Sequence, residues 1–301
     1  RAVQRRPAVL AEASAAAVEG AERLLEGELG MSRCDAASLV ERLPWVLSAE
    51  AQDAVRTLVA ALHEGAGLGP AEVGGMLASH AAVARTDAGG AEQLLELLRE
   101  EAGLRRPAQL GALLQRCPRL LVRGDGAEVR RTVRFLRDEV GLSQAALAKV
   151  AAQHPQLLAS PLEGGLRKTH EWLVDLEVPP ARIERIVRSH PKALGYRVEG
   201  KLSELGDFLM GDLGLARDKA GAVVARFPQI LGLSVADNLR PTAGFLVNEV
   251  GVPRDAVGKV ALAFPQVLGL SVACTLRPHV AFLRDELGVP PERLGKGVGS
   301  F

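Results

Sequence analysis

The chain has 301 residues, of which 48% are hydrophobic and only 3% aromatic, and its 37 lysines and arginines nearly balance its 36 acidic residues. The formal charge of +1 argues against a protein that is cationic over its whole surface, although phosphate contacts usually supply most of the affinity for duplex nucleic acid. No apolar run reaches the about 18 residues of a membrane span. The three cysteines form no Cys-x-x-Cys pair, so they indicate neither a zinc site nor a disulfide framework.

A proline followed by a leucine three residues later recurs along the chain at intervals of 36 or 37 residues. The interval from Pro44 to Pro118 is twice as long, and Ala81 stands at its midpoint in place of the missing proline. Such a constant period predicts a repeat protein. The repeats begin near residues 7, 44, 81, 118, 155, 191, 228 and 265.

Each repeat predicts a first helix, then a tight turn and a second helix. In the repeat that begins at Pro228, apolar residues between positions 239 and 250 recur at spacings of three and four, as on one face of an amphipathic helix. Asn238, and Thr275 in the next repeat, are predicted N-caps of this helix. A glycine 23 residues after most of the repeat prolines suits a left-handed residue that ends it.

The second helix is predicted to begin at a proline such as Pro253 or Pro290 and to end before the next repeat proline. The Pro-x-x-Leu segment that remains predicts a turn or a short 3₁₀ piece. A single repeat cannot bury its own leucines, so the repeats must stack. We therefore expect an all-α solenoid of about eight 37-residue repeats, each with two α-helices and a short 3₁₀ turn, and a single domain over residues 1–301.

The sequence at the end of the chain predicts a further repeat. Residues 294–301 align with residues 257–264, so the next repeat proline is due immediately after Phe301. The expectation is that the natural polypeptide continues into at least part of a ninth repeat.

Three sequence runs carry a resemblance to a known family. They are Phe-Pro-Gln-x-Leu-Gly at residues 227–232 and 264–269, Asn-Leu-Arg-Pro at 238–241, and Phe-Leu-x-x-Glu-x-Gly at 245–251 and 282–288. With the repeat length, they make essentially the whole chain resemble the mitochondrial transcription termination factor, or mTERF, family. The resemblance implies a right-handed superhelix. It also implies relatives that act in mitochondria or plastids, bind nucleic acid along a basic concave groove, and affect organellar transcription, RNA splicing or ribosome assembly.

Basic residues are concentrated in the second half of the chain. The net charge is −4 over residues 1–117 and +5 over residues 118–301. A nucleic-acid surface is therefore predicted in the second half, and a solvated helix face remains the alternative. The densest patch of candidates is Arg119, Arg123, Arg130, Arg131, Arg134 and Arg137.

One charge is periodic, since arginine recurs 12 residues after the repeat proline. Stacked repeats would align these arginines as a ladder that could follow a phosphate backbone, because guanidinium groups match phosphate oxygens. The alternative is a structural ladder, in which each arginine bonds carbonyls of a neighbouring repeat or a repeated acid such as Glu139, Glu249 or Glu286. The ladder comprises Arg56, Arg130, Arg167, Arg240 and Arg277, and Lys168 is a further basic candidate.

Catalytic patterns are lacking in the sequence, so we expect no enzymatic activity, no metal site and no cofactor. The glycines of residues 251–259 are spaced unlike those of a P-loop, and Val260 stands where that motif needs Ser or Thr. His80, His154 and His190 precede the repeat proline or its substitute, where Phe227 stands in another repeat, so we expect them to pack at helix ends.

These observations lead to two expectations about function. The first is an organellar nucleic-acid-binding protein that regulates transcription, its termination or RNA metabolism, with double-stranded DNA or RNA on the concave face of the second half. The alternative is a non-catalytic subunit of a large organellar complex, such as a ribosome or a photosynthetic complex, held through protein or rRNA contacts. The resemblance implies a mitochondrial or chloroplast location, and an N-terminal transit peptide would direct the precursor there.

Overall fold

A computed structural model of the protein describes residues 14–122 and 126–289. Over these residues the chain forms 16 α-helices, with short 3₁₀ and π-helical stretches between them, and no β-strand. The prediction of an all-α helical-repeat fold is confirmed. Across the same residues, every helix is too short or too polar to span a membrane.

Contacts divide the chain into two compact units, Arg1–Ala159 and Ser160–Phe301, called here the N-terminal unit and the C-terminal unit. The single uninterrupted domain and its right-handed superhelix remain predictions. The predicted helix start at Pro290 and the further repeat concern residues outside the described ones.

The described part of the N-terminal unit has nine α-helices. They are α1 (Ala15–Glu22, continued by the π-helical stretch Arg23–Glu28), α2 (Arg33–Arg42), α3 (Ala49–Ala66), α4 (Pro70–Ser79), α5 (Ala88–Glu100), α6 (Pro107–Arg116), α7 (Arg119–Val122), α8 (Ala127–Arg134, continued by Phe135–Glu139) and α9 (Gln144–Gln153). The 3₁₀ turns are Pro44–Leu47, Ala81–Arg85 and Pro155–Leu157, and the short helix α7 takes their place after Pro118. The first helices of the repeats are therefore α1, α3, α5 and α8, and the second helices are α2, α4, α6 and α9.

The described part of the C-terminal unit follows the same order with seven α-helices. They are α10 (Arg167–Asp175), α11 (Pro180–Ser189), α12 (Ser203–Asp207), α13 (Arg217–Arg226), α14 (Arg240–Asn248), α15 (Val257–Ala263) and α16 (Arg277–Asp285). Its 3₁₀ turns are Pro191–Gly195, Pro228–Gly232 and Pro265–Gly269, and the 3₁₀ stretch Arg254–Ala256 leads into α15. The second helices α11, α13 and α15 pack side by side in that order.

The repeated glycine ends the first helix as predicted. Seven glycines adopt positive φ angles between +62° and +82°: Gly30, Gly67, Gly103, Gly141, Gly214, Gly251 and Gly288. The repeat at Pro155 lacks the glycine, and there Glu177 takes φ +57°. A left-handed backbone costs a residue with a Cβ about 1–2 kcal/mol, so the repeat geometry imposes this conformation on Glu177.

The predicted N-caps Asn238 and Thr275 are wrong. The caps are Ser234 and Ser271, whose hydroxyls accept from the backbone N–H groups of Asp237 and Cys274 at 3.0 and 3.1 Å. Each first helix therefore begins earlier, as a π-helical stretch, Val235–Leu239 before α14 and Val272–Leu276 before α16. A serine satisfies the open amides of the first turn as well as asparagine or threonine does, and periodicity could not choose between them.

The core of each unit is built from the repeated leucines. Among the described residues, the leucines three positions after the repeat prolines are at most 3% exposed, and burial of each contributes about 1.5–3 kcal/mol relative to exposure. They are Leu47, Leu121, Leu158, Leu194, Leu231 and Leu268.

Second helices approach the preceding repeat closely at a glycine seven residues before the repeat proline. A Cβ on Gly258 would come within 2.5 Å of the Leu213 carbonyl oxygen, and one on Gly221 would collide with the Leu176 carbonyl oxygen. Gly74 and Gly111 make the same approach in the N-terminal unit. In these four second helices the glycine fixes how far the helix lies from the repeat before it.

Candidate nucleic-acid interface

Four arginines of the densest predicted patch, Arg130, Arg131, Arg134 and Arg137, lie on α8 and its π-helical continuation, and each is paired with an acid. Arg130 and Arg134 share Glu101, whose carboxylate oxygens lie 2.9 and 3.5 Å from their Nε atoms. The other two pairs are Arg131–Glu128 at 3.5 Å and Arg137–Asp138 at 2.8 Å. A hydrogen bond from Arg137 lowers the pKa of Asp138. The patch is therefore exposed but close to electrically balanced.

The periodic arginines pair across repeats. Four of the five donate to an acid of the preceding repeat, placed 20 or 21 residues after that repeat's first position, whereas Arg167 pairs with Glu163 of its own repeat. The four pairs are Arg56–Glu28 (3.0 Å), Arg130–Glu101 (2.9 Å), Arg240–Asp212 (2.8 Å) and Arg277–Glu249 (2.6 Å). They form the structural ladder that the sequence left open, with Glu249 among the acids named for it. We call these four pairs the arginine–acid ladder.

The ladder pairs are exposed, and their electrostatic effect is local. In the pair at the end of the described chain, the side chains of Arg277 and Glu249 are 55% and 45% exposed. The hydrogen bond between them raises the pKa of Arg277 and lowers that of Glu249. Exposed pairs of this kind add little to stability, but they occupy the guanidinium groups.

The remaining predicted candidates differ in their surroundings. Arg167 pairs with Glu163 at 3.0 Å, and Lys168 pairs with Glu199. Arg119 is exposed and has no carboxylate partner among the described residues. Arg123 lies outside the described residues. Eight of the ten candidates thus have a carboxylate within ion-pair distance, so most of their positive charge is compensated locally.

Two cavities open beside the ladder at equivalent positions of different repeats. One, of about 370 Å³, lies between Arg240, Gly244 and Arg254 in the C-terminal unit. The other, of about 420 Å³, lies between Arg56, Ala60 and Pro70 in the N-terminal unit. Gly244 and Ala60 occupy the same repeat position, 16 residues after the repeat's first residue, and their small size leaves the space open. Arg134 occupies this position in the repeat of Arg130.

A second set of basic side chains lies on the second helices of the C-terminal unit and was missed by the sequence analysis. Each member is exposed and lacks a carboxylate partner among residues 14–122 and 126–289. We call them the second-helix cations: Arg182, Arg185, Arg217, Arg254 and Lys259.

Four of the second-helix cations are in register when they are counted from the following repeat proline. Arg185 and Lys259 each lie six residues before it, and Arg217 and Arg254 each lie eleven before it. Because α11, α13 and α15 pack side by side, residues at one register recur along the row at the repeat spacing. The signal was present in the sequence. Counting forward from the preceding proline hides the match of Arg185 with Lys259, because the repeat at Pro155 is one residue short, but it keeps Arg217 and Arg254 in register.

Other basic residues on these helices are engaged in the structure. Arg188 pairs with Glu184, and Lys219 pairs with Asp218. Arg226 donates to the carbonyls of Leu262 and Ala263 at the end of α15, just as Arg116 donates to those of Ala152 and Gln153 at the end of α9. These two arginines cap the helix of the next repeat.

The second helices of the two units differ in charge. In the C-terminal unit, α11, α13 and α15 with its 3₁₀ lead carry eight basic and three acidic side chains. In the N-terminal unit, α2, α4, α6 and α9 carry four basic and three acidic side chains. The larger excess of positive charge is therefore on the C-terminal second helices, although Arg33 and Lys149 stand at the same two registers in the N-terminal unit.

The described residues show no cluster of side chains arranged for catalysis or metal binding. No group of three His, Cys, Asp or Glu side chains there is placed to hold a metal ion. His80 and His190 lie at helix ends, where each ring Nδ1 is within 3.1 Å of the preceding serine hydroxyl. Cys117 is buried, and Cys34 and Cys274 are exposed in separate units.

Comparison with models of protein families identifies the family of the chain. The family model described as mTERF matches residues 1–257 of the chain. Proteins of that family are generally non-catalytic and nucleic-acid-binding, and they are typically organellar. No curated protein sequence matches the chain.

Proposed function

Since this chain belongs to the mTERF family, we propose that it is a non-catalytic organellar protein that binds double-stranded DNA or RNA through the second-helix cations of its C-terminal unit. One observation carries the proposal. Five exposed basic side chains without carboxylate partners among the described residues lie along three helices that pack side by side, and four of them form two pairs, each pair at one register. A row of cations at a fixed spacing suits a polymer that presents phosphates at a fixed spacing.

The arginine–acid ladder has a supporting part in this proposal. Its guanidinium groups already donate to carboxylates, so a phosphate would have to displace an acid to reach them. Exposed ion pairs are weak, so displacement costs little where the polymer is already held nearby. Arg240 and Arg277 therefore adjust affinity, while the second-helix cations establish it.

This surface is better suited to contacts with the phosphate backbone of a nucleic acid than to stacking on its bases. Aromatic residues make up 3% of the chain, and a stacking platform needs several aromatic faces along the strand. We therefore expect modest sequence preference and strong salt dependence, as in binding dominated by phosphate contacts. Regulation of transcription, its termination or RNA metabolism is the corresponding cellular role, in a mitochondrion or chloroplast reached through a transit peptide.

A second function stays open because the formal charge of the whole chain is only +1. A structural or assembly subunit of a large organellar complex needs no cationic excess, since its contacts are with proteins or with ordered rRNA. This alternative predicts little binding of isolated duplex DNA or hairpin RNA at physiological salt.

The test compares two variants that each lose four positive charges. The second-helix variant carries Arg182→Gln, Arg185→Gln, Arg254→Gln and Lys259→Gln. The patch variant carries Arg130→Gln, Arg131→Gln, Arg134→Gln and Arg137→Gln. Binding of a mixed-sequence DNA duplex and of an RNA hairpin is measured across a salt series, with circular dichroism as the check on folding.

We expect the second-helix variant to lose at least about tenfold in affinity and up to about 3.6 units in the slope of log K against log salt, because each lost phosphate contact removes about 0.9. The patch variant should lose less than about one unit. Equal losses in both variants would contradict the placement of the interface. A wild-type chain that binds neither nucleic acid would contradict the proposal and favour the assembly subunit.

A further inference from the structure

The cavity of about 370 Å³ beside Arg240 has an apolar interior. Its walls include the side chains of Phe208, Leu213, Val247 and Val257, all in the C-terminal unit. We call it the C-terminal cavity. Sites for small organic ligands are recesses of this kind, about 300–1,000 Å³ in volume and largely apolar, with a few polar groups that hold one end of the ligand.

The polar groups of the C-terminal cavity lie at its rim. Arg254 and Asn248 are both there. Their side chains are exposed, and neither has a hydrogen-bond or ion-pair partner among the described residues. Arg240 is also at the rim, where its Nε donates to Asp212 at 2.8 Å. A guanidinium group and an amide group are thus available to a ligand at the mouth of an apolar recess.

Of the two arginines at the rim, Arg254 is the one whose charge is open to a ligand. A hydrogen bond to Asp212 and the charge of that carboxylate raise the pKa of Arg240. The charges of Glu204 and Asp207 raise it further. Arg240 is therefore already surrounded by carboxylates, whereas Arg254 has no carboxylate partner in the described part of the chain.

A glycine inside α14 keeps part of the C-terminal cavity open. Gly244 lines the cavity, and a Cβ on it would meet nothing closer than the Asn248 Nδ2 atom at 4.0 Å. Packing of the chain therefore does not require glycine here, although glycine is among the least favourable residues inside a helix. A ligand that comes close to the helix backbone would require it.

The cavity of about 420 Å³ beside Arg56, called here the N-terminal cavity, has the equivalent place in its repeat but a different charge. Arg56 donates there to two acids, Glu28 and Asp53. Pro70 stands where the C-terminal cavity has Arg254. The two cavities are thus similar in size, and the C-terminal one adds a cation without a carboxylate partner among the described residues. An anionic ligand would distinguish them.

We propose that the C-terminal cavity binds a small amphipathic carboxylate, whose aromatic or branched body lies against Phe208 and Val247 and whose head group accepts from Arg254. A guanidinium group can donate two parallel hydrogen bonds to a carboxylate, which fixes the head group. Asn248 offers a further donor at the rim. Arg254 is also a second-helix cation, but the inference does not depend on the proposed nucleic-acid interface, because the cavity can hold a small ligand whether or not the chain binds nucleic acid.

The experiment uses two probes that differ in the charge of the head group. Phenylacetate is the carboxylate, and benzylamine, with the same ring and methylene group, is its cationic control. An apolar cavity of about 150 Å³ is enough to hold benzene, so the ring fits. Each compound is titrated into the isotope-labelled full chain and followed by amide NMR spectra.

We expect phenylacetate to shift the amides of α14 and of residues 254–257 with a millimolar Kd, the range for so small a ligand. Benzylamine should bind at least about fivefold more weakly, because its ammonium group would face a guanidinium group. Arg254→Gln should weaken phenylacetate binding at least about fivefold and leave benzylamine binding no weaker than in the wild type.

Two leucine substitutions test where the ligand binds. Gly244→Leu fills the C-terminal cavity without a change in charge and should abolish the shifts that phenylacetate causes. Ala60→Leu fills the N-terminal cavity in the same way and should leave those shifts as they are. Unchanged amide signals elsewhere in the chain show that each variant is folded. Nucleic-acid binding by Gly244→Leu should equal that of the wild type, so this inference and the proposed function can fail separately.

Four results would overturn the proposal. The first is the absence of shifts at these amides with phenylacetate at millimolar concentration. The second is equal binding of phenylacetate and benzylamine. The third is a set of phenylacetate shifts that Gly244→Leu leaves in place. The fourth is a loss of nucleic-acid binding in Gly244→Leu, since the cavity would then belong to the nucleic-acid interface.

Discussion

The arginines of the first helices and the cations of the second helices are both periodic, yet the repeats use them differently. Arg240 and Arg277 each lie beside an acid of the preceding repeat, at 2.8 and 2.6 Å. Arg185 and Lys259 point from packed second helices into solvent without a carboxylate partner in the described part of the chain. A repeated charge therefore indicates a repeated role, and only its neighbours show whether that role is to join repeats or to meet a ligand.

The largest effect is expected from a substitution that pushes a second helix away from the preceding repeat. Gly221→Ala places a Cβ against the Leu176 carbonyl oxygen, so we expect a loss of about 1–3 kcal/mol in the free energy of unfolding. Urea denaturation followed by circular dichroism measures it. Gly211→Ala is the control, because a Cβ there meets nothing within 4 Å, and it should be neutral or stabilising by up to about 1 kcal/mol. Equal effects would show that the close approach is unimportant.

Two arginines on α13 allow a direct comparison on one helix. Arg226 bonds the next repeat, whereas Arg217 has no partner there. Arg226→Ala removes donors to two carbonyls of the next repeat, and we expect it to cost about 1–2 kcal/mol in unfolding free energy. Arg217→Ala removes an exposed side chain without such partners and should cost less than about 0.5 kcal/mol. In nucleic-acid binding the order should reverse, with Arg217→Ala the weaker binder. The same order in both assays would contradict the distinction.

The row of second-helix cations has a gap that can be filled. Ala222 lies six residues before Pro228, the register of Arg185 and Lys259, and it is partly exposed. Ala222→Lys should raise the salt slope of nucleic-acid binding by about one unit. The control Ala112→Lys adds the same charge at the same register of α6, in the N-terminal unit, and should change the slope by much less. Equal gains would show that net charge alone governs binding.

Removal of one acid tests whether an arginine of the arginine–acid ladder binds nucleic acid once its carboxylate partner is gone. Glu101→Gln releases Arg130 and Arg134 from their shared carboxylate. We expect nucleic-acid affinity to change by less than about threefold, because the N-terminal patch lies outside the proposed interface. A salt-dependent gain of about tenfold or more would mean that the patch is part of the interface and is held back by its acids.

The smallest expected effect is a pH dependence of the ladder. Arg277 lowers the pKa of Glu249 below its ordinary value of 4.5, so the pair stabilises the fold above that pH and loses its effect as the pH falls through the lowered pKa. The difference in urea midpoint between the wild type and Arg277→Ala should therefore be present at neutral pH and vanish in the acid range. A difference that persists there would point to packing of the Arg277 side chain against the Phe245 ring, 5.8 Å away.

Much of the fold was predictable from residues that act locally. The glycine after each first helix adopts the predicted left-handed conformation in seven repeats, because only glycine tolerates it without cost. The Pro-x-x-Leu segments form the predicted short turns in most repeats. The N-caps were placed wrongly, at Asn238 and Thr275, because Ser234 and Ser271 offer the same chemistry at a different register.

The sequence by itself determined the repeat, the order of its helices and the apolar positions that must be buried, because period, turn chemistry and hydrophobic pattern are properties of adjacent residues. Only the tertiary structure decided which basic residues are occupied. An arginine and an acid 28 positions apart, such as Arg277 and Glu249, meet only when one repeat lies on the next. Stacking likewise leaves Arg185 and Lys259 facing solvent. Some basic residues therefore join repeats, and the others form the proposed nucleic-acid interface.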